Sequence, residues 1–145
     1  MEAYIDENGV EAKAGLLPML RELKQMGLRI GLATATPEAR ARKYLRMVGA
    51  EAAFDAVACA EMVAHGKPAP DVYLLAARKL NLPPRVLLGV EDSPSGVQSA
   101  HAAGMTVAMV PDQDQPSAEI AALCALVAPS LAGIAPFVKE SLRRP

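Results

Sequence analysis

A chain of 145 residues is long enough for one domain with its own core, and it argues against two independently folded ones. Apolar residues make up 52 % of it and aromatics only 3 %, so the expected core is Leu, Val, Ile, Ala and Met packed between helices and a sheet. Fifteen basic against sixteen acidic residues, with no basic block longer than Arg143-Arg144, exclude the footprint of a nucleic-acid or anionic-lipid binder.

Along the chain, Leu16, Leu20 and Leu23 recur at helical spacing before Gly27, which predicts a helix over residues 16 to 26. The apolar run "LRIGLAT" follows as a strand. From Pro37, the positions Ala41, Tyr44, Leu45 and Val48 outline a second helix that Gly49 ends, and "FDAVAC" reads as a short strand. Pro70 opens a third helix with Tyr73, Ala76, Ala77 and Leu80 on one face; "NLPP" breaks it, and "RVLLGV" is the next strand. A fourth helix spans Ser95 to Ala103 and stops at Gly104, before the strand "MTVAMV" and the breaker Pro111. The tail repeats the alternation with a helix near Ser117 to Leu123, a short strand in "ALVAP", and a closing helix from about Leu131 to Leu142.

These strands are continuously apolar and show no in-out alternation, as strands buried on both faces do. Alternating helices and buried strands predict an α/β fold with a doubly wound parallel sheet, residues 1–145 forming one domain. Ligands in such sheets bind outside the carboxyl ends of the strands, so the residues after "IGLAT" and "LLGV" are the ones to inspect. No apolar run reaches the roughly 18 residues of a membrane span, and "MEAYIDENGVEAKAG" lacks the basic start and apolar stretch of a secretory signal. The expectation is a cytoplasmic protein without a membrane partner. Cys59 and Cys124 form no CxxC pair and read as two buried reduced thiols.

Three stretches fall at strand ends or nearby loops: "ATAT" (Ala33 to Thr36), "HGKPAPD" (His65 to Asp71) and "GVEDSPSG" (Gly89 to Gly96). They supply hydroxyls, an ammonium and two adjacent carboxylates. Mg²⁺ prefers hard carboxylate oxygens, a lysine is a point charge for phosphoryl oxygens, and a threonine hydroxyl can donate to one of them. In this order and spacing the stretches resemble the haloacid dehalogenase superfamily, in its branch of phosphatases and β-phosphoglucomutase-like enzymes, over roughly Gly9 to Phe137. Thr34 matches the family's second motif, Lys67 in "GKPAPD" the third, and Glu91-Asp92 in "GVEDSPSG" the fourth.

The resemblance implies a Rossmann-like core and phosphoryl transfer through an aspartyl-phosphate on a small phosphorylated metabolite, with Mg²⁺ as cofactor. It implies that Thr34 and Lys67 act on the phosphoryl group, with Thr36 and Ser93 also placed for phosphate or substrate, and that Asp92 ligates the metal, with Glu91 ligating directly or through water. Plainer readings stand beside these. Thr34 could end its strand and no more, Lys67 could be a solvated loop charge, Asp92 could cap the helix beginning near Pro94, and Thr36 could cap the helix opening at Pro37. An acid beside a ligand, as Glu91 is, often supports it without touching the metal. His65 and His101 have no evident partner and read as surface residues.

The resemblance also implies an Asp-x-Asp-Gly-Thr motif at the end of a central strand, followed by a helical cap domain. Neither is found in this sequence. Residues 1–14 read as a remnant of the linker from cap to core; "YIDENGV" offers Asp6 as a substitute nucleophile, but it lacks room for a preceding strand. By resemblance the missing strand lies between "RIGLAT" and "VLLGV", and unpaired backbone at two strand edges must be filled. A separate amino-terminal fragment, strand exchange in a homodimer, direct pairing, or Ala3 to Ile5 are the candidates. The reading is the carboxyl-terminal core of a Mg²⁺-dependent phosphatase or phosphosugar mutase, truncated or a fragment, and inactive alone. The alternative is a non-catalytic phosphate- or metal-binding remnant or assembly partner; a receiver-like domain is disfavoured because the acidic pair comes late.

Overall fold

Helix α1 (Leu16–Gln25) turns Leu16, Met19, Leu20 and Leu23 inward, and strand β1 (Gly31–Thr34) follows, buried at every position. In this computed structural model, residues 15–112 and 115–143 are described. The chain continues through α2 (Glu38–Met47), β2 (Ala56–Cys59), α3 (Asp71–Leu80), β3 (Leu88–Glu91), α4 (Pro94–Ala102), β4 (Thr106–Met109), α5 (Ala118–Ala121), β5 (Leu126–Val127) and α6 (Ile134–Arg143). The expected alternation is therefore present. The predicted glycine stops Gly27, Gly49 and Gly104 take φ of 80°, 76° and 91°, a region that side-chain-bearing residues avoid.

Among the described residues every strand pairing is parallel. β1 pairs with β2 with Gly31 opposite Ala56, β3 with β4 with Leu88 opposite Thr106, and β4 with β5 with Ala108 opposite Leu126. Alternate strand residues feed two apolar clusters. Leu32, Val57, Val90 and Ala108 pack with α1, α2 and α6 on one face, and Ala33, Ala58, Val107 and Met109 pack with α3 and α4 on the other. Helices on both faces explain why the strands carry no polar alternation, and the doubly wound parallel architecture follows.

The sheet comes in two pieces, β1-β2 and β3-β4-β5. Among the described residues β1 pairs only with β2, while β3 pairs only with β4. An apolar cavity of about 310 Å³ lies between the pieces, with Ile30 and Gly31 on one side and Leu87, Leu88 and Val90 on the other. Direct pairing of the two strands, one of the expected ways to close the gap, does not occur. The readings placed on residues 1–14, including Asp6 and the Ala3 to Ile5 stub, lie outside the described residues.

Several element bounds differ from expectation. The strand runs "LRIGLAT" and "RVLLGV" contribute four-residue strands, because Leu28 to Ile30 precede the ladder and Pro84–Val86 form a 3-10 turn. At the start of the β1-β2 piece Asp55 acts as a clip. Its Oδ2 accepts from the Ile30 amide at 2.8 Å and from Lys24 Nζ at 2.9 Å, while its own amide donates to the Ile30 carbonyl at 2.6 Å. The helix expected over Ser117 to Leu123 is a single turn, capped by Ser117 accepting from the Ile120 amide. No helix is long and apolar enough to cross a membrane among the described residues.

Candidate functional site

Thr34, Lys67 and Ser93, from three separate stretches of sequence, line one cavity of about 350 Å³ beyond the carboxyl ends of β1 and β3, together with Gly66 and Ser95. Thr34 is the last residue of β1 and is 4 % exposed. Its Oγ1 accepts from the Thr36 amide at 3.1 Å, which fixes the oxygen and leaves the hydroxyl hydrogen to donate elsewhere. Thr36 is buried and reaches the site through that backbone amide; it does not cap α2. Pro37 occupies the cap position without a side-chain bond, and the Glu38 amide is satisfied instead by Glu61 Oε1 at 2.8 Å.

Lys67 stands in the loop between β2 and α3. Ser99 of α4 pins that loop by donating to the Ala69 carbonyl at 2.6 Å, and Asp71 Oδ2 accepts from the His65 amide at 3.2 Å. The Lys67 side chain is only 12 % exposed, so it is not a solvated loop charge. Its ammonium lies 2.7 Å from Glu91 Oε2 and 3.4 Å from the Ala33 carbonyl, and 5.4 Å from the centre of the Tyr73 ring. One cation thus bridges the carboxyl ends of the two sheet pieces.

Glu91 closes β3 with its side chain 1 % exposed. Oε2 accepts from both Lys67 and the Tyr73 hydroxyl, the latter at 2.5 Å. Oε1 is buried with no hydrogen-bond partner among the described residues. It is pressed against the first turn of α4, where a Cβ on Gly96 would fall 1.7 Å from it, so only glycine leaves room for this carboxylate. Asp92 follows, half-buried, just outside the strand. The helix-cap reading for Asp92 is corrected: Ser93 caps α4, its Oγ accepting from the Gly96 amide at 3.2 Å, with Pro94 in the first helical position.

Glu91 and Asp92 are adjacent hard-oxygen residues at the carboxyl end of β3, and the buried Glu91 Oε1 has no hydrogen-bond partner among the described residues. This donor set fits Mg²⁺, which is commonly held by one or two carboxylates and completes its shell with water and phosphate oxygens. No group of three or more potential His, Cys, Asp or Glu ligands occurs among the described residues.

His65 and His101 are exposed, as expected of surface residues. Cys59 is buried, Cys124 is half-buried instead of buried, and both are free. Burial pushes both thiols up from the usual cysteine range, so little thiolate is present at neutral pH. Tyr73, Gly96 and Ser99 were missed as site residues. Periodicity gave Tyr73 only a buried helix face, although a buried tyrosine hydroxyl ordinarily needs a partner and could have prompted the search for one.

The haloacid dehalogenase-like hydrolase family matches over residues 2–104. Over 108 residues the chain is 41 % identical to the protein CbbY of Rhodobacter capsulatus, covering 70 % of this chain and 48 % of that one. Hexitol phosphatase B of Escherichia coli K12 is 41 % identical over 106 residues, with the same shares, so the chain spans about half the length of these curated relatives. The structure of β-phosphoglucomutase from Clostridium difficile superposes with a TM-score of 0.77 at 26 % identity, covering 89 % of this chain and 55 % of the other. With a match over more than half its length, the chain belongs to the haloacid dehalogenase-like hydrolase family.

Proposed function

We propose that the chain is the carboxyl-terminal core of a Mg²⁺-dependent phosphatase or phosphosugar mutase, working through an aspartyl-phosphate on a small phosphorylated metabolite in the cytoplasm. The observation that carries this reading is the convergence of Thr34, Lys67 and Ser93 on one cavity, with Glu91 bound to Lys67. Relatives named as a hexitol phosphatase and a β-phosphoglucomutase support the reaction class. Thr34 donates its hydroxyl to a phosphoryl oxygen, and Lys67 offsets charge on the same group. Ser93 borders the cavity, and Thr36 supports Thr34 from behind. Asp92 and Glu91 hold the metal, which supplies charge neutralisation at the phosphoryl oxygens.

The chain is proposed to be inactive alone, since the sequence holds no Asp-x-Asp-Gly-Thr to supply the attacking carboxylate. In this reading a strand carrying that motif, from an amino-terminal fragment, fills the apolar gap between β1 and β3, whereas strand exchange with a second copy would close the gap without supplying the motif. The same gap favours the second reading, a remnant that binds phosphate or metal without turnover and assembles with another chain.

The test is binding followed by turnover. Titration calorimetry with inorganic phosphate in the presence of Mg²⁺ is expected to show binding that Thr34→Ala weakens at least several-fold and that Asp92→Asn abolishes together with Mg²⁺ uptake. Equal phosphate binding by wild type and both variants refutes the site. Turnover of an aryl phosphate by the unaltered chain, abolished by Asp6→Asn, overturns the proposed inactivity.

A further inference from the structure

The carboxylate of Glu91 is held in an asymmetric way. Both donors that reach it, the Lys67 ammonium and the Tyr73 hydroxyl, bind the same oxygen, Oε2, at 2.7 and 2.5 Å. The other oxygen, Oε1, is buried and has no partner among the described residues. Rotation of the carboxylate, which would exchange the two oxygens, has to break both hydrogen bonds at once. Gly96 backs the group closely enough that even a methyl there would overlap it.

Tyr73 is fully buried on α3, its ring set among the apolar residues of α3 and α4. It serves both members of the ion pair, since the ring face lies 5.4 Å under the Lys67 ammonium while the hydroxyl reaches past it to Glu91. A phenylalanine would fill the same space without the second function. We propose that Tyr73 is a positioning residue whose hydroxyl fixes the rotation of the Glu91 carboxylate, so that Oε2 stays with Lys67 and Oε1 alone is presented to a cation. Tyr73 touches neither substrate nor metal in this scheme. The part concerning the cation rests on the Mg²⁺ reading above; the hold on Glu91 does not.

Tyr73→Phe removes one oxygen atom and leaves the packing intact, so it separates the two parts. In the metal-free protein, the Glu91 side-chain carboxyl carbon is followed by ¹³C NMR and identified by its loss in Glu91→Gln. The expected result is a changed chemical shift for that carbon in Tyr73→Phe, with a native-like spectrum elsewhere. Calorimetric titration with Mg²⁺ alone is expected to show affinity roughly tenfold weaker in Tyr73→Phe, the size typical for losing a group that orients a metal ligand. A Glu91 signal unmoved by Tyr73→Phe, or identical Mg²⁺ affinity in the two proteins, overturns the proposal. If the wild-type chain takes up no Mg²⁺ while the Glu91 signal moves, the hold by Tyr73 is supported and the metal reading is what fails.

Discussion

Replacing Lys67 by Met keeps most of the aliphatic stem over Tyr73 and deletes the charge, leaving Glu91 buried with the Tyr73 hydroxyl as its remaining donor. At 2.7 Å and an effective dielectric of about 20, the Lys67–Glu91 attraction is roughly 6 kcal/mol before desolvation. Desolvation offsets much of that in the intact pair, but not when one partner is removed, and breaking a buried pair typically costs about 3–5 kcal/mol. The expected loss is about 3 kcal/mol, at the low end because Tyr73 still donates. The assay is equilibrium unfolding in urea. Lys67→Met with Glu91→Gln should regain at least half of the loss, since no buried charge is left stranded. Arg42→Met supplies the control, because the Arg42–Glu38 pair has side chains 41 % and 38 % exposed and such helix pairs contribute only about 0.3–0.5 kcal/mol. If Lys67→Met costs no more than Arg42→Met, the buried-pair reasoning is wrong.

Gly96→Ala would place a Cβ 1.7 Å from Glu91 Oε1 and 2.0 Å from its carboxyl carbon, so the carboxylate or the first turn of α4 must move. Overpacking costs about 1–3 kcal/mol, and disturbance of the buried pair adds to it, so the loss in urea unfolding should be about 3 kcal/mol or more; a loss under about 1 kcal/mol would show that this turn yields freely. Asp55 has its carboxyl held below the usual carboxylate range, first by the hydrogen bond from the Ile30 amide and then, against some desolvation, by Lys24. A lowered folded-state value means the contribution is complete above the unfolded value of about 3.8 and is lost as pH falls through the folded one. The stability difference between wild type and Asp55→Asn should therefore be constant near neutrality and close below that pH in pH-dependent thermal unfolding; a difference that widens on acidification would refute the clip.

The continuous apolar runs announced strands covered on both faces, and Leu32 and Ala33 face opposite clusters as that pattern requires. Strand lengths were less legible, because a ladder extends only as far as its neighbour. β1 has one neighbour among the described residues, and β5 offers two residues to β4. Caps show where local rules stop. Pro94 at the first helical position marks Ser93 as the cap, a signal already present in "EDSPSG", so Asp92 was readable as something else. At α2 the same rule misled: Thr36 stands before Pro37 as a cap would, yet the helix begins one residue later and Glu61, distant in sequence, satisfies its first amide. Tyr73 was legible as a buried ring and not as a donor to Glu91, since periodicity gives a helix face and says nothing about a partner on a distant strand.

The pairing of Lys67 with Glu91 also changes the electrostatic reading of the cavity. Taken as separate motifs, a lysine beside a threonine reads as an anion trap and an acidic doublet as a cation site. The geometry joins lysine and glutamate, the ammonium being already matched by Glu91 at 2.7 Å, so that pair carries no net formal charge and Asp92 follows Glu91 in the chain. Such a cluster by itself does not attract phosphate. Under the proposed Mg²⁺ reading, a divalent cation held by Glu91 and Asp92 would add positive charge beside the ion pair and free part of the lysine charge for an incoming anion, so each ligand should raise the affinity of the other by the same factor. For this reason the phosphate titration belongs in the presence of Mg²⁺, and phosphate binding that is indifferent to the cation would place the anion somewhere other than beside Lys67.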